Sequence, residues 1–289
     1  MNLLTLHGDS LRPKVYGRRP REPMKIAYFL PHPLPAWPEG HASRAICVAQ
    51  AVEGVTVVDR PRSKEDWDLA IFDTFGEMPS WAVAEASRLV IAGVPIVSVA
   101  RALNRPSTNP ILPWSLVVQP GPYEGTEGEA LAPLVRVAPV ADTALDVLLV
   151  VSGRPGSDQY WTGVVNELRE ARLNFAVLAD GLPVVGPHVS ETHPGHEWIA
   201  RSTVVVGGSG AGTLYEALWA GKRLVSHPFT IEQRLRLTAA QEAGEAVVDS
   251  KGSVVDAIES VRSMQPLGYR ENGVPRLAAL LRGLVAGPR

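Results

Sequence analysis

The sequence predicts an α/β chain of two units, each a parallel sheet flanked by helices. Three observations carry that expectation. Short apolar runs alternate with helical patterns in both halves, the order that builds parallel sheets with both faces covered. Twice in the second half such a run breaks into a glycine turn and then a helix, at Val151–Gly156 and at Val206–Gly212. Between the halves lies Leu134-Val135-Arg136-Val137-Ala138-Pro139, which reads as the passage from one unit to the next.

The first unit opens with the strand Lys25–Leu30. A proline-rich loop leads to Gly40-His41-Ala42-Ser43-Arg44 and a helix through Val52. Strands are expected at Val55–Val58, at Leu69–Phe72 closing in Asp73, at Pro95–Val99 and at Leu116–Gln119, with a helix over Trp81–Ile91. Pro120 to Glu129, rich in Gly and Glu, reads as a loop. The second unit opens with the strand Ala144–Val151, followed by Ser152-Gly153-Arg154-Pro155-Gly156, a helix over Tyr160–Ala171 and the strand Phe175–Leu178. A His- and Pro-rich loop spans Gly181 to Pro194. Thr203–Val206 is a buried strand, and Leu214, Ala217 and Leu218 form the apolar face of the helix after its glycine turn. Arg223–Ser226 is a further strand, and Glu232-Gln233 start another helix. In the tail, Leu277, Leu280, Leu281 and Leu284 give Val274–Val285 a helical apolar face. The expected boundaries are a basic arm over 1–24, a first unit over 25–140, a second over 141–273 and a tail helix over 274–289.

At 289 residues, 45% hydrophobic and 20% charged, the chain has room for two globular domains with cores of their own. A net charge of −2 argues against a whole-molecule polyanion binder. No apolar run approaches the ~20 residues that span a bilayer, and the first residues lack a signal-peptide core. A cytoplasmic protein without a membrane span is therefore expected. The lone Cys47 excludes an internal disulfide, and its apolar helical setting predicts a buried thiol. From Arg12 to Lys25, six Lys or Arg stand against one Glu, interrupted by Pro13, Pro20 and Pro23. That arm reads either as a solvated tail or as a contact for a polyanionic acceptor.

The stretch Val204 to Gly244 is the most informative. A strand that runs through glycines into a helix presents bare N–H groups at the helix N-terminus, a ready site for phosphate. Gly207-Gly208-Ser209-Gly210-Ala211-Gly212, then Thr213 and Glu216, then Pro228, then Glu232-Gln233 follow in a set order. That order resembles the donor site of nucleotide-sugar glycosyltransferases of the GT-B type. The likeness extends to the peptidoglycan N-acetylglucosaminyltransferase, the UDP-glycosyltransferases and the UDP-sugar hydrolase of pseudaminic acid synthesis. The resemblance implies the GT-B plan, two Rossmann-like domains whose parallel sheets face a central cleft, with a tail helix crossing back to the first domain. It implies that Gly208, Ser209, Gly210, Ala211, Gly212 and Thr213 hold the donor diphosphate. Glu216 would hold the ribose, and Glu232 and Gln233 the sugar hydroxyls. A dinucleotide site is the weighed alternative. Gly208-x-Gly210 is half of its fingerprint, but Thr213 stands where a third Gly belongs, and the next strand ends in His227-Pro228 rather than an acid. A glycine turn that only packs a helix on a sheet is the plainer one.

Gly40-His41-x-x-Arg44 is similar to the Gly-His-x-x-Arg of the pseudaminic-pathway hydrolase. That resemblance makes His41 the general base, since an imidazole titrates near neutrality, and sets Gly40 beside the donor. The plainer role for His41 is to cap or pack its helix. Asp73, at a strand end, would orient His41 or serve as the base itself, or else cap a turn. Arg154 in its glycine turn would reach the diphosphate. His188 lies in the loop that in related enzymes runs near the donor base. It clusters with His193, His196, Glu191 and Glu197, but the spacing is not a recurrent metal-ligand pattern. Asp66-Trp67-Asp68 precedes its strand rather than closing it. Metal-independent chemistry is expected, with no bound cofactor and a UDP-sugar as co-substrate. Retaining relatives place a Glu eight positions before the helix Glu; here that position is Gly208. An inverting displacement follows, with turn amides and helix dipole stabilising the leaving nucleoside diphosphate. The expected activity is transfer of a sugar from UDP to an acceptor hydroxyl. A UDP-sugar hydrolase, with water activated by His41, and a nucleotide-binding module without catalysis stay open. A small molecule or glycan is the expected acceptor. A hydroxymethylated base in DNA, reached through the arm and flipped from its stack, is the alternative.

Overall fold

A computed structural model describes residues 24–30, 40–58, 65–73, 78–99, 112–123, 128–139, 141–151, 157–179, 186–188, 195–268 and 270–286. The arm before Met24 lies outside them. The first sheet holds β1 (Ile26–Phe29), β2 (Val55–Val58), β3 (Leu69–Asp73), β4 (Ile96–Val99), β5 (Leu116–Pro120) and β6 (Glu129–Leu131), ordered β2-β1-β3-β4-β5-β6. The second holds β7 (Leu145–Val151), β8 (Phe175–Ala179), β9 (Ser202–Gly207), β10 (Arg223–Ser226) and β11 (Val247–Asp249), ordered β11-β10-β9-β7-β8. Every named pair is parallel, with Ile26 opposite both Val55 and Leu69, and Val205 opposite both Leu148 and Leu224.

Helices cover both faces of each sheet, so successive residues of one strand enter different cores. Ile26 and Tyr28 of β1 pack with α1 (Gly40–Ala51) and α8 (Val274–Ala286). Ala27 and Phe29 pack with α2 (Ser80–Ile91). In the second sheet Leu148, Val205 and Leu224 face α5 (Ala211–Trp219) and α6 (Ile231–Glu242). Val147, Val204 and Val225 face α3 (Asp158–Glu170) and α7 (Val254–Arg262). This two-sided burial is why the strands read as unbroken apolar runs. The tail helix α8 crosses to the first sheet, where Val274, Leu277, Ala278 and Leu281 join the core beside Ala45 and Val48 of α1.

Two short strands and two helices add to the sequence expectation. β6 lies at the end of the expected Gly- and Glu-rich loop, and only Leu131 of its three residues is buried. β11 is equally short. α4 (Gly195–Ala200) has six residues, too few to show a period. α7 is amphipathic, with Val254, Ala257, Ile258 and Val261 buried at helical spacing. Leu281 is 0% exposed in the seam between α8 and the first sheet. Leu281→Ala is expected to cost about 2–5 kcal/mol, read as a lower urea midpoint. An unchanged midpoint would mean that α8 is not seated on this core.

Candidate functional site

The glycine turn is built where the second sheet ends. β9 runs out at Gly207, which pairs with Val150 and Ser226. Gly210, extended at φ −60 and ψ 145, caps α5 without a side chain. The turn is held from α6. Ser209 Oγ donates to the Gln233 carbonyl at 2.8 Å, and the buried Arg236 donates through Nη1 to the Ser209 carbonyl at 3.1 Å. Arg236 Nη2 donates to Glu232 Oε1 at 2.6 Å. The start of α6 is a capping box: Gln233 N–H donates to Thr230 Oγ1 at 3.1 Å, while Gln233 Oε1 accepts from Phe229 N–H at 2.7 Å. Its oxygen so engaged, Gln233 turns Nε2 toward the glycine turn, 4.0 Å from where a Cβ on Gly210 would sit.

Glu216 lies one turn into α5 and faces the first domain. Ser43 Oγ of α1 donates to Glu216 Oε1 at 3.0 Å, and Arg136 Nε stands 3.9 Å from the same oxygen. Burial raises the Glu216 pKa, and Arg136 and Ser43 oppose that rise. Ser43, Pro120, Val135, Ala211, Gly212 and Glu216 enclose a gap of about 10 Å³, room for about one water. The cleft is closed at this point.

Several expected residues take other positions. Asp73 is 1% exposed, and Arg44 forks onto it, Nη2 to Oδ1 at 2.7 Å and Nε to Oδ2 at 2.9 Å. Tyr28 OH donates to Oδ2 at 2.9 Å, and burial followed by the Asp73 charge raises the Tyr28 pKa. The Asp73 carboxylate thereby pins α1 to β1 and β3, and its expected bearing on His41 falls on a side chain outside the described residues. Gly40 and His41 form the start of α1, but the His41 side chain lies outside the described residues, as do Arg154, Glu191 and His193. His188 is exposed and bridges to Val177 of β8. His196 sits in α4. The buried thiol is as expected: Cys47 is 8% exposed, and burial pushes its pKa up to about 11. Among the described residues no three His, Cys, Asp or Glu side chains group to hold a metal, and no helix is long and apolar enough to cross a membrane.

Three features escape sequence reading. One is Arg236, whose role depends on a turn 27 residues earlier in the chain. Another is Tyr123, which follows β5 of the first sheet yet joins the core of the second. Its ring stacks on Tyr215 at 5.9 Å, and its hydroxyl donates to Glu245, which also accepts from Arg270 Nη2 at 2.7 Å. Gly121 permits that approach, with φ +115 and a position where a Cβ would stand 2.4 Å from the Tyr215 hydroxyl. The last is His227, at the end of β10. Its N–H donates to the Gly207 carbonyl at 2.9 Å, its ring stacks on Tyr160 at 3.9 Å, and Nδ1 lies 3.3 Å from Ser250 Oγ.

No family model and no curated protein matches the sequence. Solved structures do match. MurG of Acinetobacter baumannii superposes with a TM-score of 0.56 at 13% identity, over 90% of this chain and 99% of that one. The spinosyn rhamnosyltransferase SpnG complexed with thymidine diphosphate gives 0.56 at 14%, over 91% and 96%. The spinosyn forosaminyltransferase SpnP gives 0.54 at 12%, over 90% and 100%. The chain has the fold they share, the GT-B plan of two Rossmann-like domains.

Two measurements check the site's electrostatics. Asp73→Ala strands a buried Arg44 and is expected to cost about 3–5 kcal/mol, read by urea unfolding; a cost below about 1 kcal/mol would mean the pair is solvated. Burial lowers the pKa of His227 and of His196. The unfolded chain then binds more protons than the fold below about pH 6.5. Stability is full above that pH and is lost as pH falls. His227→Phe, which keeps the stack, should lessen the drop in urea midpoint between about pH 7.5 and 5.5. An identical drop would remove His227 as a contributor.

Proposed function

We propose that the chain is a glycosyltransferase that takes a sugar from a nucleoside diphosphate, UDP first, and passes it to an acceptor hydroxyl. One juxtaposition carries the reading. A glycine turn leads into α5, Glu216 stands one turn further, and the Gln233 amide faces the turn. A diphosphate at the turn would accept from the backbone N–H groups. The ribose hydroxyls would donate to Glu216, and Gln233 Nε2 would donate to the sugar. The glycosyltransferase neighbours, one of them holding thymidine diphosphate, support the same reading.

The chemistry is a single displacement without a metal. The acceptor oxygen attacks the anomeric carbon, His41 takes the hydroxyl proton, and the bond from that carbon to the β-phosphate oxygen breaks. The charge left on the departing diphosphate meets the turn amides and the positive end of α5. The water-sized gap against Glu216 means that the two domains part before a donor enters. A small hydroxylated molecule or glycan is the acceptor class.

Calorimetry with UDP and thymidine diphosphate tests the donor. Saturable binding is expected, and Glu216→Ala should weaken it by about 1.5–3 kcal/mol. UDP should lose more than its 2′-deoxy counterpart if Glu216 takes the 2′-hydroxyl. His41→Ala should keep nucleotide affinity and lose sugar transfer. No nucleotide binding up to about millimolar would overturn the proposal. Rapid, saturable sugar release without any acceptor would make water the acceptor and the enzyme a hydrolase.

A further inference from the structure

A second cavity, of about 510 Å³, opens along the seam between the domains. Its volume falls within the ~300–1,000 Å³ usual for small-molecule sites. Four segments line it: the second half of α1, the passage at 135–137, the start of α4, and α8 with the turn before it. None of the glycine-turn residues does. The floor is apolar, from Val135, Val137 and Ala278 among others.

The polar lining has one sign. Gln50, Arg136, His196, Asn272 and Arg282 face the cavity, and no carboxylate lines it. Of the two guanidinium groups, Arg282 meets no carboxylate among the described residues and Arg136 only the distant Glu216 outside the lining. His196 adds no charge near neutrality, because burial and then Arg136 lower its pKa, and the Cys47 thiol stays protonated. The lining also holds donors that nothing uses. Arg136 Nε is buried without a hydrogen-bond partner, and among the described residues its guanidinium meets only the 3.9 Å ion pair with Glu216. His196 Nδ1, a donor or an acceptor according to its tautomer, is likewise buried and has no partner among the described residues. Asn272 spends Oδ1 on the Val274 N–H at 2.9 Å, which leaves its amide N–H groups to spare. A buried donor left unpaired destabilises the site, because it has given up its bond to water. A ligand rich in acceptor oxygens removes that cost.

We propose that this seam binds a small organic anion carrying several carboxylate or phosphate oxygens, apart from the glycine turn. Arg136 and Arg282 pair with its charge, and Asn272 and Gln50 donate to its remaining oxygens. The site does not depend on the donor chemistry, yet it touches it through one residue. Arg136 serves both the cavity and Glu216, so an anion that draws the guanidinium away alters the carboxylate. Whatever the occupant does to nucleotide affinity, a nucleotide does in return.

The test is calorimetry on the full chain with citrate and, separately, glycerol 3-phosphate, which distinguishes carboxylate from phosphate recognition. At least one should bind saturably at a single site. Arg282 is exposed and makes no hydrogen bond or ion pair with described residues, so Arg282→Ala should leave melting unchanged. It should weaken binding about tenfold or more, the worth of one charge-assisted bond. Ala51→Trp, at the exposed end of α1, should block the cavity and abolish binding with helicity retained. Arg262→Ala removes the same charge from a residue paired with Asp146 and should bind like wild type. Three results would overturn the site: no saturable binding of either probe up to about ten millimolar, equal weakening in Arg262→Ala, or binding indifferent to Arg282 and Ala51. The last would place the probe at the glycine turn.

Discussion

Both sheets are buried on both faces, and that constraint decides where chemistry can occur. Val204, Val205 and Val206 of β9 are at most 1% exposed, and so are Leu69, Ala70 and Ile71 of β3. A polar side chain along such a strand would need a partner of its own within the core. Polar groups therefore gather at the carboxyl ends, where Asp73 closes β3 and the glycine turn follows β9. Even there space is short. A Cβ on Gly207 would stand 3.0 Å from the Val150 carbonyl oxygen and 3.1 Å from Thr213 Cγ2. The turn is glycine-rich first because it leaves a crowded sheet, and its bare amides follow from that.

The same burial explains what the sequence disclosed. Long parallel strands announce themselves as unbroken apolar runs, so β1, β3, β7 and β9 were legible, as was the tail helix through its leucine stripe. Three-residue strands such as β6 and β11 leave no such trace. Within the site, residues tied to a local pattern were legible: the turn and Glu216, one helical turn on. Residues whose role comes from distant chain were not. The pairing of Asp73 with Arg44, 29 positions away, forms only in the fold and leaves no local pattern in the sequence. Tyr123 read as part of a loop, and only the packing of Gly121 on Tyr215 shows why it sits in the other domain's core.

Rigidity is distributed to match. The glycine turn offers its amides to one side and is tied on the other by Ser209 and Arg236. Arg236 is 1% exposed, and its charge is balanced by Glu232 one turn earlier on the same helix. Such a guanidinium fixes the carbonyl it holds. Glu232 and Gln233 thus have structural work at the α6 terminus. Gln233 Nε2 has no hydrogen bond with the described residues and is turned toward Gly210.

Two of the contacts across the domains, besides the seat of α8 on the first sheet, differ in strength. At Glu216 the first domain contributes one hydrogen bond from Ser43, worth about 1.5–3 kcal/mol to a charged acceptor, over a gap the size of a water. At Tyr123 it contributes an aromatic stack of about 0.5–1.5 kcal/mol and a share in the buried Glu245–Arg270 pair. Removing one partner from such a pair costs about 3–5 kcal/mol. The Arg270 guanidinium also lies 4.5 Å over the Trp219 ring. The Tyr123 cluster therefore ties the domains more firmly than the Ser43 contact does. The passage at 135–137 is covalently continuous between the two and sets Arg136 Nε 3.9 Å from the Glu216 carboxylate. Arg136 from the passage and Ser43 from α1 thus oppose together the rise that burial imposes on the Glu216 pKa.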